Sequence, residues 1–437
     1  MKKRLFAAIT AALFILMSLG AALPAMAKAV RPSDEYATPE GYNDLDYQKM
    51  VAFLEQTNEN GVKVGEKWCR MLGMLDFSQI EYDPEDPETW AAGEYGVFWT
   101  EFDGVKYISS INASMLDAFG ALDLSGLTEL KKLDCSVTFI ESLNVSGCTA
   151  LKNLSFGFSG YFVEADLSGC TALEILNVSE TNNLATLDLS DCVSLKTLNC
   201  SDQHSLTSLD LSNSPLLTTL KCGRCALTEL LLPEENVIET IYCIDNALTE
   251  LDLSGCGSLK SLNCKNNRLT ELDVSECEQL KEIYCSGNML KSLDLSNNPE
   301  LPFDMISAEG DGWIGFDLRI VDDVYAECAV AAAEDGAEFL GWYNEEGEQI
   351  SEEDVLSINN TAYTRVTARF TGWDAGVPGD ADGDGSVDTT DALLVLRCAL
   401  GISGNMTEML ANCDMDGNGT IDTTDALLIL RKALGIG

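Results

Sequence analysis

Oxygen-bearing side chains recur at a fixed spacing near the end of the 437-residue chain. Two segments, which begin at Asp380 and 34 residues later at Asp414, carry such side chains at positions 1, 3, 5, 9 and 12, with glycine at position 6. The residues are Asp380, Asp382, Asp384, Asp388 and Asp391 in the first copy and Asp414, Asp416, Asn418, Asp422 and Asp425 in the second, and Ser386 and Thr420 add backbone carbonyls at position 7. This spacing wraps a short loop around a hard cation.

Each loop runs directly into an apolar-periodic segment that predicts a helix. Position 12 is aspartate and not the glutamate of ordinary EF-hands, and no clear helix precedes either loop. Because four or five carboxylates at this distance repel each other, we expect folding of the segment to be coupled to binding of a divalent cation.

Together these features resemble a type I dockerin over residues 379–437. The resemblance implies two calcium ions and docking onto a cohesin module of a scaffold protein. It also implies that recognition uses loop positions 10 and 11 and the following helix, which are Thr389, Thr390, Arg397, Thr423, Thr424 and Arg431. Since the two copies match at these positions, we expect two docking orientations related by a half turn. The alternative is a pair of calcium loops from another kind of protein.

The charge balance and the N-terminal segment indicate which partners and which cellular location to expect. The chain has 27 basic and 71 acidic residues and a net charge of −44, which disfavours nucleic acid and anionic membranes as partners. A basic start, an apolar run over residues 5–23 and a small-x-small site at residues 25–27 predict a secretory signal peptide at residues 1–27, with an uncleaved anchor as the alternative. No second apolar span of about 20 residues follows, so we expect an extracellular protein, associated with a scaffold or the cell surface, without membrane insertion.

A motif of the form L-D-L-S-x-C returns every 21 or 22 residues in the middle of the chain. It begins at Leu122, Leu143, Ala165, Leu187, Leu209, Leu230, Leu251, Leu272 and Leu293. The segment LKSLNCKNNRL, at residues 259–269, fits the leucine-rich-repeat consensus at every fixed position, so we expect a solenoid of eight coils. Two inward columns are predicted: Leu133, Leu154, Leu176, Leu198, Leu220, Ile241, Leu262 and Ile283, and beside them Cys135, Phe156, Val178, Cys200, Cys222, Cys243, Cys264 and Cys285.

Polar residues and cysteines occupy further fixed positions of this repeat. Asn246, Asn267 and Asn288 fit a turn where a side-chain amide satisfies buried backbone groups, and the other residues found there, Thr138, Ser159, Thr181, Gln203 and Cys225, predict less regular turns in the earlier coils. Eleven of the sixteen cysteines fall in two columns of the repeat, which favours reduced packing residues over disulfides.

Two outward strips are candidates for binding. One carries Asn177, Asn199, Lys221, Tyr242, Asn263 and Tyr284, a composition typical of protein- or glycan-binding faces, and we take Tyr242 and Tyr284 as its candidate ligand residues. The other carries Asp123, Asp166, Asp188, Asp210, Asp252, Asp273 and Asp294. A solvated face with turn hydrogen bonds is favoured there over a cation-attracting strip.

The remaining segments complete a multidomain assignment. Residues 28–121 are predicted to form an α/β cap, with a helix over residues 43–57 whose Leu45, Met50, Phe53 and Leu54 share one side, then a strand pair with tryptophans in its core. The solenoid takes residues 122–302. Residues 303–373 resemble one small β-rich repeat of internalin-type surface proteins, through residues such as Gly336, Phe339, Trp342 and Tyr343. Residues 374–379 form a linker, and residues 380–437 form the all-α dockerin with paired EF-hand-like loops.

The residues do not support an enzyme. The single histidine, His204, has no nucleophile motif around it, and a solenoid of short coils offers no deep cleft. Cys222 and Cys225 form a CxxC motif, but Cys222 occupies the core column, so packing is favoured over a redox site. We therefore expect a secreted non-catalytic adaptor, in which a dockerin binds a cohesin and the solenoid binds an unidentified protein or glycan. The alternatives are a polysaccharide-degrading component of a cellulosome and an adhesin.

Overall fold

The structure is a computed structural model that describes residues 36–76, 80–301, 305–309, 312–321, 324–334, 337–357, 363, 365–371, 379, 381, 387–399, 413, 415 and 423–435. The predicted signal peptide and nearly all of the predicted linker lie outside these residues. The chain divides into two compact units, the first made of Met1–Ser307, Trp313–Val330 and Val355–Val366 and the second of Ala308–Gly312, Ala331–Asp354 and Thr367–Gly437. Among the described residues, no helix combines the length and apolar character needed to cross a bilayer.

The first unit begins with helices Asp44–Leu54 and Val64–Asp76, a 3-10 turn at Pro87–Trp90, and strands Ala91–Ala92, Tyr95–Phe102 and Val105–Asn112. Asn43 caps the first helix by accepting a hydrogen bond from the backbone N–H of Asp46. Met50, Phe53 and Leu54 are buried as predicted, but Leu45 is 46% exposed because it lies on the solvent side of the helix. The second helix is absent from the sequence-based prediction.

Tryptophan packing closes the core of this cap. Trp68 and Trp90 are fully buried, and the ring of Tyr47 stacks on Trp90 with centroids 5.6 Å apart. The expectation that the tryptophan cluster forms core is confirmed for Trp90, whereas Trp99 is half-buried.

One long sheet runs through the cap and all eight coils of the array, and we call it the main sheet. The array contributes strands Lys132–Asp134, Asn153–Ser155, Ile175–Asn177, Thr197–Asn199, Thr219–Lys221, Thr240–Tyr242, Ser261–Asn263 and Glu282–Tyr284. These strands pair in parallel, each with the strand of the next coil, and Val105–Asn112 joins them to the antiparallel strands of the cap. The predicted solenoid of eight coils is confirmed.

The opposite side of the coils carries shorter and interrupted sheets. Strands Phe119–Asp123, Phe139–Asn144 and Glu164–Asp166 pair in parallel, as do Ser208–Asp210 and Glu229–Leu231, and Ser292–Asp294 pairs antiparallel with Met305–Glu309. Of the seven aspartates predicted for the second outward strip, Asp188, Asp252 and Asp273 lie outside strands.

The core of the array consists of the two predicted columns. Every residue predicted to point inward is at most 1% exposed. A further column holds Cys148, Cys170, Cys192, Cys256 and Cys277, all fully buried. The thiols of Cys148 and Cys170 donate to carbonyl oxygens of the preceding coil, Leu124 O at 3.2 Å and Val145 O at 3.3 Å. Each coil is therefore stabilised mainly by its neighbours.

The predicted turn amides satisfy buried carbonyls. Asn267 donates from Nδ2 to Cys243 O and Cys264 O, both at 3.0 Å, and accepts at Oδ1 from the N–H of Leu248 at 3.1 Å. Asn246 and Asn288 make the equivalent bonds. In the earlier coils this turn position is occupied by Thr138, Ser159, Thr181, Gln203 and Cys225. Each of these side chains donates a hydrogen bond from its hydroxyl, amide or thiol to a buried carbonyl oxygen.

A left-handed residue precedes this position in every coil. The residues and their φ angles are Val137 56°, Phe158 56°, Glu180 58°, Asp202 61°, Arg224 54°, Asp245 56°, Asn266 54° and Gly287 72°. All eight turns thus share a left-handed residue. The asparagines of the last three turns also accept from a backbone N–H of the preceding coil, so the later turns are bonded more regularly, as predicted. The conformation is set by stacking of the coils, since valine and phenylalanine rarely adopt it by themselves.

Strands Gly312–Val321, Val324–Ala333 and Val355–Ser357 follow the array. The second unit contains strands Phe339–Tyr343 and Gln349–Ser351, and it pairs Trp342 with Ala368 of strand Arg365–Phe370. Trp342 is fully buried, and Arg369 bonds Glu309 at 2.8 Å while covering the ring of Tyr343. The unit ends with helices Thr389–Ala399 and Thr423–Ala433.

Candidate functional site

The two C-terminal helices begin at the predicted loop ends. Each helix has eleven residues, with sequences TTDALLVLRCA and TTDALLILRKA. Asp388 accepts a hydrogen bond at Oδ1 from the N–H of Thr390 at 2.6 Å, which satisfies one of the unpaired donors at the helix start. The ninth loop residue therefore also helps to start the helix.

The aspartates at loop position 12 lie inside the fold. Asp391 is 1% exposed, and its carboxylate accepts from the N–H of Ala381 at 2.7 Å and from the N–H of Asp388 at 2.7 Å. Asp425 is fully buried and accepts from the N–H of Met415 at 2.7 Å. Each carboxylate thus joins the helix to the second residue of its loop, ten positions earlier, so the loop closes on itself.

This geometry fits a hard cation. The buried carboxylate at position 12 brings the two ends of each predicted loop together, and carboxylate and carbonyl oxygens are the ligands that calcium prefers. The other predicted ligands, Asp380, Asp382, Asp384, Ser386, Asp414, Asp416, Asn418, Thr420 and Asp422, lie outside the described residues. Within the part of the chain that the structure describes, no group of three acidic, histidine or cysteine side chains could hold a metal ion.

The helices pack through small and branched residues. Ala392, Val395, Ala426 and Ile429 form a shared core with Ala381 and Cys413. On the other side, Leu393 and Leu427 are 55% and 56% exposed, and they line an apolar groove between the helices. Equivalent residues of the two copies match in burial, so the helix pair has an internal two-fold character.

All six predicted partner contacts are exposed on these helices. They are Thr389, Thr390 and Arg397 in the first copy and Thr423, Thr424 and Arg431 in the second. Thr389 and Thr423, at the two helix starts, line the apolar groove, and the two arginines lie near the helix ends.

On the array, the main sheet presents the predicted ligand column. Lys221, Tyr242, Asn263 and Tyr284 are neighbours in register on successive strands. The ring of Tyr242 lies over Gly223, where a β-carbon would stand 2.8 Å from Tyr242 Cε1. The sheet therefore brings the two tyrosines into one column, with Asn263 between them.

An ion-pair row along the same sheet is absent from the sequence-based prediction. Glu174 binds Lys196 at 2.8 Å and Lys152 at 2.9 Å, and these hydrogen bonds lower the pKa of Glu174 to about 2. Lys260 binds Glu239 at 2.8 Å. Each of these charged residues directly precedes a strand of the main sheet, so their repeat spacing in the sequence could have predicted this row of ion pairs.

The aspartates on the opposite side form turns. Each one accepts at Oδ1 from the N–H of the serine two residues later, at 2.9–3.0 Å, which confirms the predicted turn hydrogen bonds. Bonds from the serine hydroxyl and N–H lower the pKa of Asp210, Asp252, Asp273 and Asp294, and for Asp188 the N–H bond is the main cause.

The residues weighed for catalysis lie apart. His204 is exposed in its turn, Cys222 is fully buried and Cys225 is half-buried. Burial raises the pKa of the Cys148, Cys192 and Cys243 thiols to about 12. These thiols are therefore protonated at neutral pH, as expected for reduced packing residues.

Comparisons with known proteins identify one segment. Residues 378–434 match the family model of the Dockerin type I domain. No curated protein matches the chain significantly. Among solved structures, the functional domain of InlJ from Listeria monocytogenes, which includes a cysteine ladder, is 21% identical, and the match covers 56% of this chain and 72% of that one with a TM-score of 0.28.

Two further solved structures are similar to this chain. YopM from Yersinia enterocolitica WA-314 is 20% identical, with 42% of this chain and 46% of that chain covered and a TM-score of 0.32. The protein LIC12759 from Leptospira interrogans is 18% identical, with 41% and 64% covered and a TM-score of 0.23. The match thus spans less than half the length of YopM.

Proposed function

We propose that this chain, which carries a type I dockerin domain at residues 378–434 beside a solenoid of leucine-rich repeats, is a secreted non-catalytic adaptor. Its dockerin binds a cohesin module of a scaffold protein and its solenoid binds a second partner. The family match of the C-terminal segment is the observation that carries this proposal. The exposure of all six predicted contact residues on the paired helices supports it.

Calcium is the ion that the two loops would hold. The predicted ligands are carboxylate, amide and carbonyl oxygens, and the bound ions supply the positive charge that offsets repulsion among them. The chain's own part is to position these oxygens. Asp391 and Asp425 hold each helix start against the second residue of its loop, so the exposed threonines at loop positions 10 and 11 are fixed relative to the ion.

The main sheet supplies the second binding surface. Its column of Lys221, Tyr242, Asn263 and Tyr284 offers aromatic rings, an amide and a cation on adjacent strands, a composition suited to a protein or glycan partner. Substituting alanine at both Tyr242 and Tyr284 is expected to weaken binding of an identified partner. Unchanged affinity in that double variant would exclude this column as the binding face.

Cohesin binding is tested by capture of the full chain on an immobilised type I cohesin. We expect retention in calcium and release in chelator. Retention that does not respond to chelator would contradict calcium-dependent docking, and failure to bind any of a panel of type I cohesins would contradict the adaptor role.

Dual docking is tested with variants matched between the two copies. Because each copy presents the same residues, alanine at both Thr389 and Thr390 is expected to leave binding intact through the second copy, as is alanine at both Thr423 and Thr424. Alanine at all four is expected to abolish capture. Loss of binding in either single-copy variant would refute two orientations.

The non-catalytic assignment is supported by the exposed position of His204 and by the use of the array's core positions for packing. Incubation of the full chain with plant polysaccharides is expected to release no reducing sugar. Release above the level of a heat-denatured control would instead support a polysaccharide-degrading component. An adhesin role differs from the adaptor only in the partner of the solenoid.

A further inference from the structure

Cys225 lies where the following coils have asparagine. Its thiol donates to the carbonyl oxygen of Cys200 in the preceding coil at 3.2 Å. Asn246 makes the same bond one coil later, from Nδ2 to Cys222 O at 2.9 Å. A thiol therefore takes the place of an amide in the turn, and it is brought against the coil that contains Cys200.

The side chain of Cys225 also lies against that of Cys200. This contact lowers the pKa of Cys225 and raises that of Cys200, and the N–H groups of Gln203 and Asp202 lower the pKa of Cys225 further. Cys225 is half-buried, whereas the other cysteines whose side chains the structure describes are buried. One half-buried thiol with a lowered pKa thus lies beside a second, fully buried thiol.

We propose that Cys200 and Cys225 are a redox-active pair that a small-molecule disulfide oxidises to an intramolecular disulfide between the fourth and fifth coils. The Cys225 thiolate attacks one sulfur of the small disulfide, which forms a mixed disulfide and releases one small thiolate. The thiol of Cys200, which is fully buried, gives its proton to the departing small thiolate as its sulfur attacks Cys225 Sγ, which releases the second small thiol. Two protein thiols are oxidised and one small disulfide is reduced to two thiols.

The pairing differs from the one that the sequence suggests. In the CxxC motif the partner of Cys225 would be Cys222, but Cys222 is fully buried in an inward column. The described hydrogen bonds of the Cys225 side chain run to Cys200 O and Gly223 O, and none runs to the Cys222 side chain. The pair is therefore formed across coils, by stacking, and not within the motif.

Peptide mapping of the full chain tests the pairing. The reduced chain is incubated with oxidised glutathione, remaining thiols are alkylated, and the chain is digested with trypsin. Cleavage after Lys196, Lys221, Arg224 and Lys260 separates the three cysteines into peptides 197–221, 222–224 and 225–260. We expect a cross-link between peptides 197–221 and 225–260, fragmentation that assigns it to Cys225, and the loss of two thiols per chain.

Three results would overturn the proposal. A cross-link between peptides 222–224 and 225–260 would assign the pair to the CxxC motif. A mixed disulfide that persists on Cys225 would show that Cys200 does not reach it. An undiminished thiol count would show that the pair is not oxidised.

Matched variants separate the role of the two candidate partners. Cys225→Asn installs the amide of the following coils and is expected to abolish the cross-link. Cys222→Val installs the residue that Val178 provides in the same column and is expected to retain it. Tryptophan fluorescence during urea unfolding checks that both variants are folded. The peptide map of the wild-type chain tests the pairing even if a variant does not fold.

Discussion

Aspartate has opposite roles in the array and in the C-terminal helix pair. In the array, residues such as Asp252 and Asp273 are exposed, and each accepts a hydrogen bond from the backbone two residues later. In the helix pair, Asp391 and Asp425 are buried and accept from backbone ten residues earlier. The first group closes a local turn in water, whereas the second places negative charge inside a fold.

The difference shows where each region obtains its stability. The array satisfies its buried carbonyls with neutral side chains such as Asn246, Asn267 and Asn288. A buried carboxylate is costly unless opposite charge compensates for it. We therefore expect the array to be stable by itself and the helix pair to depend on calcium.

Removal of calcium is expected to have the largest effect. At free calcium a thousandfold above Kd, each bound ion adds about 4 kcal/mol to stability. Chelator should therefore increase hydrogen exchange in residues 387–399 and 423–435. The six tryptophans all lie outside residues 378–434, so their fluorescence should not change. Helices equally protected in chelator would contradict the dependence on calcium.

A matched pair of variants sharpens this test. Asp391→Asn keeps one acceptor oxygen but removes a charge and the second oxygen, and is expected to weaken calcium binding by roughly tenfold or more. Asp273→Asn makes the same chemical change at an exposed turn of the array. Titration calorimetry should show unchanged calcium binding in the array variant.

Loss of a turn amide is expected to have the next largest effect. Asn267→Ala leaves three carbonyls and one N–H without their present partner inside the array, so we expect a loss of about 3 kcal/mol in the free energy of unfolding. Urea unfolding followed by tryptophan fluorescence measures it. Asn297→Ala, at an exposed asparagine, is the control and should change stability little. Equal losses in both variants would contradict the role of the buried amide.

A substitution at the left-handed turn position is expected to change the free energy of unfolding by a smaller amount and to raise it. Val137 adopts φ 56°, which is unfavourable for a β-branched residue, and Asn266 occupies the same position six coils later. Val137→Asn is expected to stabilise the array by about 1 kcal/mol. Asn266→Val should destabilise it by more, because it also removes the bond from Nδ2 to Asp245 at 2.6 Å. A loss of stability in the first variant would contradict strain at this position.

The sequence predicts the array well because each coil repeats the same contacts. Both inward columns and the turn amides follow from spacing alone, since a residue at a fixed repeat position meets its counterpart in the next coil. The left-handed conformation of the residue before each turn amide does not follow from spacing, because Val137, Phe158 and Arg224 are not residues that favour φ above zero. Their conformation is set by the neighbouring coils.

Regions outside the repeat were predicted less completely. Helix Val64–Asp76 buries Val64, Trp68 and Leu72, an i, i+4, i+8 pattern that could have revealed it. The contact between Cys200 and Cys225 could not have been found from the CxxC motif, because it forms only when two coils stack. In the helix pair, the spacing of the oxygen-bearing residues predicts where each loop ends. The burial of Asp391 does not follow from that spacing, because it depends on how the helices pack.

The turn aspartates of the array are expected to give the smallest effect, and it depends on pH. The serine hydroxyl and N–H lower the pKa of Asp210, Asp252, Asp273 and Asp294 below the usual value of 3.8, so the unfolded chain binds more protons just below that pH. The stability from these bonds is therefore present at neutral pH and is lost as pH falls through the lowered pKa values. Because the four carboxylates are exposed, solvent screening limits their joint contribution to roughly 0.5 kcal/mol.

Replacing all four by asparagine keeps an acceptor for each serine N–H and removes the charge. Urea midpoints at pH 7 and near pH 3 should differ less in this variant than in the wild-type chain. An equal difference in both chains would show that the turns are stabilised by geometry and not by charge. In that case the contrast with Asp391 and Asp425 would rest on burial alone.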